Sequence, residues 1–181
     1  MLRLSYLIYF SLIISILLHS ITIAEENAYN SLRLGLRLGT SNTNERDFRS
    51  VEIFGSYGLQ HYNISEKYSK LVLTILLNTS LGGLKQRDDI GGLATFGPGL
   101  ALSTYSEQLY FDIGGGLGFL TDEKIGNHDF GGFLQYAAHG GLSYKFYNNL
   151  FLGYRFFHIS DAGIFDGHGL NRHLFELGYR F

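Results

Sequence analysis

His158 and Ser160, two residues apart, are the residues of this sequence best suited to bond-making chemistry. They end a run of alternating residues that is typical of a β-strand, whose side chains leave its two faces in turn. Both side chains are therefore predicted to lie on the same face. A serine hydroxyl becomes a useful nucleophile when an imidazole accepts its proton and a third group orients that imidazole. The spacing indicates a candidate site for nucleophilic attack.

Eight alternating segments are predicted to position this pair. In the clearest, residues 31–41, Leu32, Leu34, Leu36 and Leu38 alternate with arginine and glycine, a period that no helix would show. With 24 glycines, 15 phenylalanines, 13 tyrosines and one proline, the composition favours close-packed strands over helices or disorder. The predicted strands cover about 31–41, 48–60, 68–81, 91–103, 108–120, 130–145, 150–160 and 172–181, with polar loops at 85–89 and 121–128.

Each segment has one apolar face and one face of polar residues or glycine. A soluble barrel would turn the apolar face inward, as a lipocalin does, whereas a membrane barrel turns it toward lipid. Segments of about ten residues, with aromatic residues near their ends, favour the membrane barrel. The predicted fold class is therefore all-β, an eight-stranded antiparallel transmembrane β-barrel. Its narrow lumen would hold charges that can pair: Arg33, Arg37, Glu52, Lys70, Asp112, Arg155, Glu176 and Arg180.

The N-terminal residues differ from the rest. Arg3, an apolar run from Leu7 to Leu18 and small residues up to Ala24 predict a signal peptide over residues 1–24, with the barrel over 25–181. The alternative is an uncleaved membrane anchor. The absence of cysteine excludes disulfides and thiolate metal sites, and a net charge of −2 with scattered basic residues gives no reason to expect a nucleic-acid partner.

Strand parity predicts where the candidate pair lies. Barrels of this kind begin and end on the periplasmic side, so the connection after Ser160 is expected to face outward from the cell. His158 and Ser160 fall in the lipid-facing series of their strand, and so do Asn171 and His173 on the last strand. Polar groups turned toward lipid cost free energy unless they are satisfied. Their presence on one face favours chemistry on ester bonds at the membrane surface.

These residues also carry a family resemblance. The stretch from His158 to Gly163, then Gly169-Leu170-Asn171 and the closing strand to Phe181, resembles the lipid A 3-O-deacylase (PagL) or acyloxyacyl hydrolase family. The resemblance implies an eight-stranded barrel of the bacterial outer membrane that removes the ester-linked 3-O-acyl chain from lipid A of lipopolysaccharide. It implies Ser160 as nucleophile and His158 as general base.

Two positions depart from the family pattern. Asp161 stands where the family has an asparagine associated with the oxyanion site, which leaves Gly163 and backbone N–H groups as the expected donors. Asn171 stands in the slot of the catalytic glutamate; it can orient a histidine, but it cannot stabilise imidazolium by charge. Asp161 or Asp166 is an alternative third member. A slow hydrolase is expected, and the alternative is an impaired member or a non-enzymatic barrel with a structural, anchoring or adhesion role.

Other motifs indicate no further chemistry. His168 and His173 have no accompanying carboxylate cluster, so no metal site is expected, and His139 is predicted to be a structural partner in the lumen. The glycine run 114–118 is followed by no predicted helix and is therefore not a phosphate loop. No cofactor is expected. The expected partners are lipid A and the membrane, and the oligomeric state is left open.

Overall fold

The computed structural model describes residues 31–43, 46–64, 71–104, 108–164 and 167–181, so the predicted signal peptide lies outside the described residues. Within them, eight strands close into an antiparallel barrel in the order β1-β10-β9-β8-β5-β4-β3-β2, and β6 pairs with β7 in a separate hairpin. The predicted eight-stranded barrel is confirmed. No helix of the described residues is long and apolar enough to cross a membrane. The strands are β1 Leu32–Thr43, β2 Arg46–Asn63, β3 Leu71–Gln86, β4 Asp89–Thr104, β5 Leu109–Leu120, β6 Lys124–Ile125, β7 His128–Asp129, β8 Leu134–Lys145, β9 Leu150–Ser160 and β10 Leu170–Arg180.

The outer surface of the barrel is apolar. The outward side chains of Leu38 and Phe175 are 60% and 62% exposed, whereas Arg37 and Leu174, one residue away, are buried in the interior. Large apolar side chains are exposed in this way around the whole closed sheet. A surface of this kind suits contact with lipid and would be an aggregation hazard in water. The fold is therefore that of a membrane barrel, and the soluble lipocalin-like alternative is excluded.

A network of buried ions fills the middle of the lumen. Arg155 donates hydrogen bonds to both carboxylate oxygens of Asp112, at 2.6 and 3.0 Å, and to Glu176 at 2.5 Å. Arg37 donates a second hydrogen bond to Glu176, at 2.7 Å. Buried charges require such partners because each has lost its hydration. The other predicted lumen charges are Arg33 and Glu52, which are buried, Arg180, which is half-buried, and Lys70, which lies outside the described residues.

The outer end of the lumen is apolar, which corrects the prediction that the inward faces carry polar residues or glycine. We define this end by the β1–β2, β3–β4 and β9–β10 connections. The strands there carry apolar residues on both faces, so that Phe156 faces outward while Phe157 and Ile159 fill the interior. The buried cluster comprises Phe48, Leu84, Leu93, Leu120, Ile125, Phe130, Ala137, Phe157, Ile159, Leu170 and Leu174.

A short hairpin, β6–β7, covers part of this end; we call residues 124–129 the cap hairpin. Residues 121–128 were predicted to form a polar loop, and the alternation that begins at Phe130 predicts that this side chain faces lipid. Phe130 is instead fully buried and packs edge-on against Phe48 and His128. His128 Nε2 lies 2.8 Å from the carbonyl oxygen of His168, and the His168 N–H donates to the carbonyl of Asp129 at 2.9 Å. The cap hairpin is thus fastened to the β9–β10 loop.

Two further details of the strands differ from the prediction. β3 and β4 continue through the predicted 85–89 loop and meet at a two-residue turn, where Arg87 adopts a φ of 55°. A bulge in β2 between Gly58 and Gln60 shifts the register by one residue. Unbroken alternation over residues 48–60 predicts that Gln60 faces the lumen with Glu52 and Ser56. Because of the bulge, Gln60 is instead exposed opposite Ile75, and the ring nitrogen Nδ1 of His61 lies 2.8 Å from the Thr74 hydroxyl. One extra residue reverses strand parity beyond it.

Candidate active site

The strand register brings His158 and Asn171 together. They are direct partners on β9 and β10, and His158 Nδ1 lies 2.7 Å from the amide oxygen of Asn171. Because an amide oxygen only accepts hydrogen bonds, Nδ1 carries the proton and donates it to this bond. Nε2 is then the basic nitrogen of the ring. This is the tautomer that a general base requires.

Ser160 lies one step farther along the same face of β9. It is partly exposed, as His158 is, and its partner on β8 is Tyr136, whereas His158 is paired with Ala138. Alternate residues of a strand are roughly 6.6 Å apart, so the hydroxyl and the imidazole are neighbours. Among the described residues, no hydrogen bond joins the Ser160 hydroxyl to His158. Such bonds are often long before substrate binds and shorten in the reacting complex.

Gly169 keeps the space between these two side chains open. A Cβ atom at this position would lie 3.0 Å from Cε1 of His158 and 3.3 Å from Cβ of Ser160, both closer than ordinary contact. The imidazole edge and the serine side chain therefore flank a narrow space, in which Gly169 has a hydrogen atom where another residue would have a Cβ. Gly169 belongs to the sequence motif, but no role was predicted for it. Its position two residues before Asn171 was the sequence signal that could have indicated a role at the site.

Asp161 is turned away from the outward face. Its side chain is buried, and its carboxylate oxygens accept hydrogen bonds from the N–H groups of Gly163, at 3.0 Å, and Gly167, at 2.9 Å. The carboxylate thus organises the β9–β10 loop from the inside. Ala162 and Gly163 adopt left-handed backbone conformations, with φ of 54° and 76°, and Gly163 is exposed. Asp166, the other acidic alternative, lies outside the described residues.

The remaining histidines occupy separate surroundings. His173 Nδ1 lies 2.6 Å from the Tyr154 hydroxyl on the outward face, and His168 lies in the loop against the cap hairpin. His139 Nε2 lies in the lumen, 3.4 Å from Asp112, as its predicted structural role requires. In the part of the chain that the structure describes, no group of three histidine, aspartate or glutamate side chains is arranged to hold a metal ion.

The outward surface differs on the two sides of the candidate site. From Ser160, successive partners toward β8, β5 and β4 are Tyr136, Leu117 and Phe96, all exposed; we call these the apolar row. On the β10 side, a second row starts at His173, which is paired with Phe156 of β9, two residues before His158; its successive partners on β1, β2 and β3 are Thr40, Arg49 and Lys85, also exposed, and we call these four residues the polar row. The outward surface is therefore apolar on the β8 side of Ser160 and polar on the β10 side of His158.

Comparisons with known proteins concern the family and the fold of the chain. The family model described as "Lipid A 3-O-deacylase (PagL)" matches residues 55–180, more than half of the chain. The crystal structure of the outer membrane enzyme PagL is similar in fold, with a TM-score of 0.70 and 15% identity, covering 81% of this chain and 98% of that chain. A chain from the de novo design of transmembrane β-barrels gives a TM-score of 0.48 at 15% identity, covering 83% of this chain and 95% of that chain. The comparison with curated proteins finds no match.

Proposed function

The chain belongs to the lipid A 3-O-deacylase (PagL) family, and we propose that it is a serine esterase that removes the ester-linked 3-O-acyl chain from lipid A. It is a barrel of the outer membrane, and its apolar outer face meets the acyl chains of the outer leaflet. The observation that carries the proposal is the 2.7 Å contact between His158 and Asn171, which holds the imidazole beside Ser160 on the lipid-facing surface.

Ser160 is the nucleophile in the proposed reaction. Its oxygen attacks the carbonyl carbon of the 3-O-acyl ester while Nε2 of His158 takes the hydroxyl proton. The tetrahedral intermediate then expels the sugar oxygen, which receives that proton from His158. Water, activated by the same nitrogen, attacks the acyl-serine ester and releases the fatty acid. The net reaction consumes one water molecule and restores the hydroxyl of Ser160.

Asn171 and the β9–β10 loop support these steps in different ways. Asn171 orients the imidazole, but it places no negative charge beside the imidazolium that forms, so turnover is slow. The carboxylate of Asp161 holds the loop from within and does not face the developing oxyanion. The N–H groups of Gly163 and Ile164 already donate to Asp161, so the neighbouring backbone N–H of Ala162 is the proposed oxyanion donor of this loop. If the missing charge abolishes activity, the chain is the impaired or non-enzymatic barrel of the alternative reading.

Mass spectrometry of lipid A from cells that express the protein tests this proposal. Loss of one hydroxyacyl chain is expected with the wild-type chain and is expected to disappear with Ser160→Ala and His158→Ala. Thr79→Ala is the matched control, because it removes an exposed outward hydroxyl on β3, remote from Ser160. Heat-modifiable gel mobility verifies that each variant is folded. Unchanged lipid A with a folded wild-type barrel would refute the esterase and leave the non-enzymatic alternative.

A further inference from the structure

Two cations of the polar row face each other across neighbouring strands. Arg49 on β2 and Lys85 on β3 are direct partners, both exposed on the outward face. Neither side chain forms an ion pair or hydrogen bond with any described residue. Like charges directly opposite each other in a sheet repel and are destabilising. An anion between them would convert this repulsion into attraction.

The two cations lie at the level where lipid head groups begin. Directly below Arg49 on the same face, Val51 is an exposed member of the apolar belt, and Gly83 is below Lys85. Toward the water, Asp47 follows Arg49 and the turn residue Asp88 follows Lys85, both exposed. The order outward from the membrane is therefore apolar, basic and then acidic. Basic side chains next to the belt match the phosphates at the base of an anionic leaflet.

The polar row connects these cations to the candidate active site. Arg49 is paired with Thr40, and Thr40 with His173, two residues from Asn171 on β10. Neighbouring strands are about 4.8 Å apart, so β2 lies roughly 14 Å around the barrel from β9 and His158. The apolar row leads away from Ser160 in the opposite direction. A lipid whose ester sits at Ser160 can therefore place its head group over the polar row and an acyl chain over the apolar row.

We propose that Arg49 and Lys85 bind a phosphate group on the head group of the lipid whose ester Ser160 attacks. The identification of that lipid as lipid A rests on the proposed function. A guanidinium offers two parallel N–H donors to phosphate oxygens, and the ammonium adds a compact positive charge. The pair fixes the orientation of the head group and makes phosphorylated lipid the preferred ligand.

Binding without turnover tests this inference. The full-length mature barrel carrying Ser160→Ala is purified in a neutral detergent and titrated with bisphosphorylated lipid A and with enzymatically dephosphorylated lipid A. We expect the phosphorylated form to bind about tenfold more tightly or better, as two charge-assisted contacts imply. The double variant Arg49→Gln/Lys85→Gln is expected to lose this preference. Arg49→Lys/Lys85→Arg, which keeps both charges, is expected to retain it.

Lys124→Gln is the matched control, because Lys124 is an exposed lysine of the cap hairpin that already pairs with Asp129 at 2.8 Å. It is expected to leave the phosphate preference unchanged. Equal binding of both lipids, or a preference that survives the double glutamine variant in a folded barrel, overturns the inference. Competition by millimolar inorganic phosphate as effective as that by the lipid also overturns it, since the site would then be a general anion site. A phosphate preference without ester hydrolysis in the wild type would refute the esterase alone.

Discussion

Polar groups occupy two regions of this barrel, the middle of the lumen and the outward face at Ser160, and they are satisfied to different degrees. In the lumen, Arg155 makes three hydrogen bonds to two carboxylates, and all of these side chains are buried. On the outward face, His158 has one hydrogen-bond partner, and Ser160 has none among the described residues. The lumen network pairs Arg155 and Arg37 with carboxylates, whereas groups left with bonding capacity at a lipid surface are suited to the proposed reaction.

The largest effect is expected from a substitution in the lumen that lowers the stability of the barrel. Arg155→Met removes the shared partner of Asp112 and Glu176 and leaves two buried carboxylates short of compensation. We expect the free energy of unfolding to fall by about 3–5 kcal/mol, because an unpaired buried charge is costly. Urea unfolding in detergent micelles measures this change in the free energy of unfolding. Lys124→Met, which removes an exposed ion pair, is the control and should leave the urea unfolding midpoint unchanged. Equal midpoints for both variants would show that the buried network contributes no more to stability than an exposed ion pair.

Gly169→Ala is expected to disturb the outward site while leaving the barrel intact. The added methyl would crowd Cε1 of His158 and Cβ of Ser160. Displacing a catalytic group by a fraction of an ångström to one ångström lowers turnover by about a hundredfold, and kcat should fall more than KM rises. Gly140→Ala on β8 is the control, since its Cβ would meet its nearest atoms at 3.8 Å. Full activity of Gly169→Ala would show that the gap between the two side chains is dispensable.

Asp161→Asn tests whether the buried carboxylate of Asp161 stabilises the β9–β10 loop. The substitution installs the residue that the family pattern has, but one amide oxygen replaces two carboxylate oxygens that accept N–H groups of Gly163 and Gly167. An unsatisfied N–H costs about 1–3 kcal/mol. Local hydrogen exchange in residues 161–169 should therefore accelerate and turnover should decrease. Higher activity in this variant would instead place residue 161 at the oxyanion.

The smallest expected effect comes from restoring a charge to the histidine. Asn171→Glu places a carboxylate beside Nδ1 of His158, where it stabilises the imidazolium formed during attack. We expect kcat to rise by about tenfold, equivalent to ~1.4 kcal/mol of barrier, with little change in KM. Asn171→Leu, which removes the hydrogen bond altogether, should lower kcat. If the Asn171→Glu variant is no faster than the wild type, Asn171 already supplies the orientation that matters.

Much of the site was predictable from strand parity. His158, Ser160 and Asn171 were each assigned to the lipid-facing series. The structure places all three on that face, Asn171 exposed and the other two partly exposed, and a hydrogen bond joins His158 to Asn171. The inward turn of Asp161 and the gap at Gly169 were not predictable. They depend on how the β9–β10 loop folds back, and no periodic pattern covers a loop.

The errors in the fold have a common cause. Phe130 looked like a strand residue because it begins an alternating run, yet the cap hairpin carries it into the barrel end, where it contacts Phe48 from a distant strand. Gln60 was predicted to face the lumen because the alternation was continued through a position where the structure has a bulge. Local alternation contains no information about a loop that folds onto the barrel end or about an extra residue at a bulge.

The sequence by itself determined the closed antiparallel sheet, the apolar exterior and the face on which His158 and Ser160 emerge, because side-chain alternation is a local property of extended backbone. Only the tertiary structure decided that Asn171 lies opposite His158, that Arg49 lies opposite Lys85, and that the outer lumen is filled by an apolar cluster under a cap hairpin. These relations depend on register and loop packing, which are set by contacts between segments that the linear pattern does not connect.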